Sequence, residues 1–173
     1  AFTKIATVYG DNGIIGLAFY IASLFKDLVL KNTSLHFPIL NLFGPKGSGK
    51  TELAVSLKRF FQLKDIPLNL NNTTIAAIAN NLAQVSNAIV HFDEFRNDLD
   101  TKIRESLKGV WDGTGRSRMN IDLDKQVEST MVDSALILSG QEMATADIAL
   151  FSRFVFLRFS ETTFSAEAKR NFN

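Results

Sequence analysis

Apolar residues recur along the chain with two different periods. From Asn12 to Leu30 they cover most faces of what reads as one buried helix. From Thr51 to Phe61, Leu53, Leu57, Phe60 and Phe61 fall on one face at helical spacing. Three further helices are predicted: Thr74–Val85, with Thr73 or Thr74 placed to cap it, Asp100–Trp111, stopped by Gly113, and Thr145–Phe151. Short unbroken apolar runs read instead as strands: Phe37–Phe43 (FPILNLF), Ile66–Leu70, Ala88–Phe92 (AIVHF), Ser134–Leu138 and Val155–Phe159 (VFLRF). In Met119–Leu123 and Gln126–Met131 charged and apolar residues alternate, which predicts a hairpin. Strands that alternate with helices predict an α/β fold of three layers, a mostly parallel sheet with helices on both faces.

Composition narrows this only a little. The 173 residues, 46% apolar and 21% charged, suit one soluble globular domain over residues 1–173. A net charge of +1 excludes a histone-like basic protein, though not a local basic strip. The chain has no cysteine, which removes disulfides and thiolate metal sites and fits a reducing cytoplasm. His36 and His91 both lie in apolar runs and read as strand residues rather than metal ligands. The apolar run Gly13–Phe25 is shorter than the roughly 20 residues of a membrane span and has no basic leader, so no membrane association is expected. A start at Ala1 without methionine and an abrupt stop at Asn173 predict a piece cut from a longer protein.

The chemistry enters at GPKGSGKT. Gly44, Pro45, Lys46, Gly47, Ser48, Gly49, Lys50 and Thr51, with Glu52 next on the helix, fit G-x-x-x-x-G-K-[ST] in full. Glycines let the backbone wrap a phosphate with its N–H groups inward, and the following helix turns its positive end to the same anion. Lys50 would reach the β and γ phosphates, and the Thr51 hydroxyl would take a Mg²⁺ position. An apolar strand before the loop and an amphipathic helix after it are the context this motif requires. The second half of such a site is AIVHFDEF, an apolar strand ending in two acids. Asp93 would hold Mg²⁺ through water and Glu94 would polarise an attacking water. A small-molecule kinase has less need of that second acid, so the pair favours an ATPase.

With both motifs in place, the sequence resembles the additional-strand P-loop ATPases, the AAA+ class and its relatives. The resemblance implies that ALILSGQE (Ala135–Glu142) forms the strand between the two nucleotide-binding strands. Its end carries a polar γ-phosphate sensor in that class, usually asparagine; here Ser139 or Gln141 would take the role. ALFSRFVFLRF (Ala149–Phe159) is similar to the L-x-S-R-F segment of replicative ring helicases of the minichromosome maintenance kind. Arg153 matches the arginine that reaches into a neighbour's site there; the other reading is a surface residue before an edge strand. Thr7–Phe25 is similar to the segment that lines adenine in those helicases, with Tyr9 and Gly10 against the base, or else it is an ordinary turn before a core helix. Gly109–Arg118 (GVWDGTGRSR) resembles a run in superfamily 3-like helicase modules of phages, plasmids and integrative elements, often fused to primases.

What the resemblance implies is an AAA+-like P-loop NTPase with a β-hairpin insertion, using ATP and Mg²⁺ and working as a homo-oligomeric ring, a hexamer among the sizes open. Its implied role is a DNA helicase or translocase module acting on single-stranded DNA. The alternative is a nucleotide-gated switch or remodelling ATPase whose partner is a protein. Arg116, Arg118 and Lys125 surround the hairpin, where ring helicases grip a DNA backbone; they read equally as contacts to a neighbour's nucleotide or as solvated charge. Trp111 could stack a base or pack in the core. The lid subdomain that follows the last strand in AAA+ proteins is expected to be absent or truncated, since only SETTFSAEAKRNFN follows Phe159.

Overall fold

Five parallel strands form the centre of the computed structural model, which describes residues 1–32, 36–62, 67–119 and 127–161, the side chains of 115–119 and 127–131 excepted. Three helices lead in: α1 (Phe2–Tyr9), α2 (Asp11–Ser23) and α3 (Lys26–Asn32). Then follow β1 (Ile39–Phe43), α4 (Lys50–Arg59), β2 (Leu68–Asn69), a 3₁₀ turn (Leu70–Asn72), α5 (Ile75–Ala83) and β3 (Ile89–Phe95). After α6 (Thr101–Trp111) the chain forms an antiparallel pair, β4 (Thr114–Met119) and β5 (Val127–Met131), before β6 (Ala135–Gly140), α7 (Ile148–Phe151) and β7 (Phe154–Arg158).

The sheet order is β2-β3-β6-β1-β7, with every pair parallel. The strand from Ala135 therefore does lie between the phosphate-loop strand and the acidic strand. Alternation along the strands sorts the core to two faces. Leu40, Leu42, Ile137 and Leu157 pack with Phe19 of α2 and Leu53 and Leu57 of α4. Ile39, Phe92, Leu136 and Leu138 pack with Ile78 and Leu82 of α5 and Leu107 and Val110 of α6. Each such side chain contributes about 1.5–3 kcal/mol by leaving water. Thr74, one of the two expected caps, accepts from Ala77 N through Oγ1 (3.2 Å), and Asp100, read as the first residue of its helix, instead caps it by accepting from Lys102 N (2.7 Å).

The predicted single helix Asn12–Leu30 is two helices, bent by 65° at their junction, and α1 precedes them unpredicted. Tight bonds from Leu24 N to Ile21 O and Phe25 N to Ala22 O end α2. Lys26 then draws the chain inward: it is fully buried, its ammonium donating to Ser134 O (2.6 Å) and Val110 O (3.3 Å) and lying 5.6 Å from the Phe37 ring centroid. No single helix among the described residues is long and apolar enough to cross a membrane. Burial pushes the Lys26 ammonium down from 10.5 to about 8, against the pull of Asp133. The unfolded chain thus holds this proton from pH 8 to 10.5 when the folded chain does not, and folding gains as pH rises through that window. We expect the stability of wild type relative to Lys26→Met to rise by about 3 kcal/mol between pH 7.5 and 10.5 in urea titrations; a flat difference would show the ammonium to be hydrated.

Other boundaries shift for local reasons. Pro38 delays β1 to Ile39, because proline has no N–H for the ladder. The acidic strand does not stop at Phe92 but runs through Asp93 and Glu94 to Phe95. Arg116 and Arg118 lie within the first hairpin strand, not beside it, since β4 starts at Thr114; Lys125 lies outside the described residues. His36 is no strand residue: it precedes β1, with Nδ1 2.9 Å from Asp112 Oδ1 and its ring stacked on Trp111 at 5.3 Å. His91 does sit on β3, and no group of three metal-ligating side chains occurs among the described residues.

Candidate nucleotide site

The loop 44–49 leaves β1 at the carboxyl edge of the sheet and runs directly into α4. Gly49 caps α4 with φ 93°, a left-handed value that side chains avoid, so the loop turns sharply and aims the first free N–H groups of α4 back into its own hollow. Those donors with the helix dipole make an anion cradle. Lys50 is buried, and its ammonium donates to Pro45 O (2.6 Å), Gly44 O (2.9 Å) and Ser48 Oγ (3.3 Å). Desolvation lowers its pKa, with Asp93 and Glu94 pulling the other way. Lys46 and Gly47 are exposed at the loop's tip, Ser48 is buried with its hydroxyl on Pro45 O (2.9 Å), and Glu52 lies 3.8 Å from Arg59 on the helix.

The structure brings the second motif against the first. Thr51 Oγ1 donates to Asp93 Oδ2 (3.3 Å), joining α4 to β3. Asp93 Oδ1 accepts two more protons, from Ser139 Oγ (2.6 Å) and Glu94 N (2.8 Å). A hydroxyl and a carboxylate oxygen side by side at a phosphate cradle are hard ligands of the kind Mg²⁺ takes, with phosphate and water supplying the rest. These residues therefore fit Mg·nucleotide, as the chemistry of the donor set requires.

Glu94 is presented by a bulge. Phe92 pairs with Leu138 and Phe95 with Gly140, so β3 spends one residue more than β6 over that stretch. The extra residue gives Glu94 a φ of 62° and an exposed side chain. Asn71 Nδ2 holds the bulge through Glu94 O (3.0 Å). Gly140 makes room for it, because a β-carbon there would overlap the carbonyl oxygen of Phe95.

Of the two sensor candidates, Ser139 is fully buried and bonded to Asp93, while Gln141 lies exposed just past β6. Tyr9 packs beside the loop: a β-carbon on Gly49 would meet its ring at 3.3 Å, and its ring lies 6.4 Å from that of Phe159. Burial, then the charge of Glu52, raises its pKa to about 12. Gly10 forms the exposed turn between α1 and α2, and Asn12, two residues on, donates to Arg158 O (2.8 Å).

Arg153 is not at this edge. Its carbonyl accepts from Ile39 N (3.0 Å), at the start of β1, while the phosphate loop leaves the other end. Roughly 13 Å of strand separates them. Its guanidinium turns back to the Ala149 carbonyl, and Nε has no partner. The hairpin arginines have described backbone only.

Two residues that carried no predicted role at the site also shape it. Asn97, after β3, accepts from Thr145 N (2.9 Å) and Ala146 N (3.1 Å) and donates to Glu142 Oε2 and Met143 O (both 3.0 Å). It ties the loop after the acidic strand to the loop after the sensor strand. His91 lies two residues before Asp93 on the same strand face, with Nε2 2.6 Å from Ser139 Oγ. Burial lowers its pKa to about 4, Asp93 opposing and Lys58 reinforcing, so the ring is neutral at physiological pH. That i, i+2 spacing was a readable signal; the hydroxyl it meets comes from another strand and was not.

A five-stranded parallel sheet of order β2-β3-β6-β1-β7, with a phosphate loop after its fourth strand in that order, defines the AAA+-like P-loop α/β fold. Solved structures agree: three variants of RuvB from Thermotoga maritima match with TM-scores of 0.55, 0.55 and 0.55 at 17%, 18% and 16% identity. They align with 86–87% of this chain, which spans 46% of the RuvB chains. No protein-family profile matches the chain, and no curated protein sequence matches it.

Proposed function

We propose that the chain is an ATP-binding and ATP-hydrolysing motor domain. The observation that carries this reading is Asp93, whose carboxylate is held by Thr51 of the phosphate-loop helix on one oxygen and by Ser139 on the other, with Glu94 bulged out beside it. The cradle of N–H groups and Lys50 would bind the phosphates, and Thr51 and Asp93 would hold Mg²⁺, which supplies charge neutralisation at the phosphates. Glu94 would orient the attacking water, and Ser139 would act on the metal side through Asp93, a more buried position than a direct γ-phosphate contact. Tyr9, beside the loop, and Gly10, in the turn that follows it, would face the nucleoside.

The finer reading is a DNA helicase or translocase module of a phage or mobile-element replication protein, acting as a ring on single-stranded DNA. It is supported by the G-x-G-R-x-R run, which leads into the antiparallel pair of β4 and β5, and by the placement of Arg153 away from its own loop, as a role at a neighbour's site would need. ATPase assays with and without single-stranded DNA at low salt test it. Stimulation that fades with salt supports the DNA motor; nucleotide-dependent assembly with no DNA affinity would move the reading to a protein-directed switch. In either case Lys50→Ala should lower ATP affinity at least about 100-fold, since charge-assisted contacts to phosphate are lost in a desolvated loop. Unchanged binding by calorimetry would overturn the nucleotide site itself.

A further inference from the structure

We propose that His91 is a positioning residue: acting through Ser139, it locks Asp93 in the rotamer that turns Oδ2 toward Thr51. The inference rests on the Mg·nucleotide reading of the site. Serine has one proton to donate. Ser139 Oγ stands within 2.6 Å of both His91 Nε2 and Asp93 Oδ1. An ionised carboxylate only accepts, so the hydroxyl proton belongs to Asp93, and the contact with His91 requires an N–H on Nε2. With that tautomer the hydroxyl accepts from the ring and has no alternative to donating to Asp93. With a ring that could accept there, the hydroxyl could turn away.

The consequence falls on the carboxylate. Oδ1 is filled by Ser139 and by the Glu94 amide, which leaves Oδ2 as the oxygen beside the Thr51 hydroxyl. The relay thus divides Asp93 into one oxygen anchored by Ser139 and the Glu94 amide and one turned to Thr51, where a metal would be held. His91 is 2% exposed, and its Nδ1 has no hydrogen-bond partner. Beside Ile89 and Ile137, which share its face of the sheet, a leucine would fill the same place without stranding a nitrogen, so packing alone does not account for the ring.

The test is Mn²⁺ binding followed by electron paramagnetic resonance, with the β,γ-imido analogue of ATP bound to the chain. His91→Leu should weaken Mn²⁺ about 10- to 100-fold, the usual effect of losing a residue that orients a metal ligand. Affinity for the analogue in EDTA should be unchanged. His91→Gln, whose amide can donate where Nε2 does, should restore Mn²⁺ binding. In a Ser139→Ala background His91→Leu should cost nothing more, because the relay is already broken. Equal Mn²⁺ affinity in wild type and His91→Leu would overturn the relay, as would a His91→Gln that falls as far as the leucine. If His91→Leu does not fold, Ser139→Ala carries the same expectation, and unchanged Mn²⁺ affinity there overturns it. A wild-type chain that holds no analogue at all would overturn the nucleotide site, and the relay with it.

Discussion

Glu94→Gln is expected to bind ATP as tightly as wild type and to hydrolyse it at least about 100-fold more slowly. The phosphates would be gripped by the loop and Lys50, none of which the substitution touches. What it removes is the negative charge that would polarise a water. The backbone argues for the role independently of the motif. A φ of 62° on a glutamate costs on the order of 1–3 kcal/mol and survives only where the surroundings enforce it. Here Asn71 holds its carbonyl, Asp93 accepts from its amide, and Gly140 leaves space for the bulge. Glutamine matches the shape and keeps those backbone bonds, so the fold should be unaffected. Single-turnover hydrolysis alongside equilibrium binding decides it: turnover above half of wild type would mean that another group orients the water.

The second large effect is expected at Arg153, and only in an assembly. Arg153→Ala should leave ATP affinity and hydrolysis unchanged in the monomer and lower turnover at least about 10³-fold in the assembled protein. Arg153 lies by the amino end of β1 and the phosphate loop by its carboxyl end, so the guanidinium has no path to its own site without unravelling β7. Its present partner is a carbonyl of its own short helix, a weak contact easily exchanged for a phosphate. Rates measured across a concentration series that spans assembly separate the two regimes. An assembled, active Arg153→Ala protein with wild-type turnover would remove the residue from the site.

Much of this was legible in the residues. The phosphate loop is a local device, since its glycines, lysine and threonine act within eight positions of one another, and spacing alone reports it. The parallel sheet followed from the alternation of apolar runs with amphipathic helices. Three other features were misread or missed, each because a distant partner decides it. The bend after Ser23 depends on Lys26 finding carbonyls of residues 110 and 134. The bulge at Glu94 depends on Gly140 and Asn71, from two neighbouring segments. His91 read as strand filler because its partner Ser139 stands on the adjacent strand.

By itself, then, the sequence determined that the chain holds a phosphate loop and an acid pair on an α/β scaffold, because those signals are short-range. Only the tertiary structure decided how they meet. Parallel pairing of β3 with β6 brings Ser139 onto both His91 and Asp93, and packing of α4 on the sheet brings Thr51 to the other carboxylate oxygen. Hydrogen bonds act over about 3 Å, and sequence separation does not measure that distance.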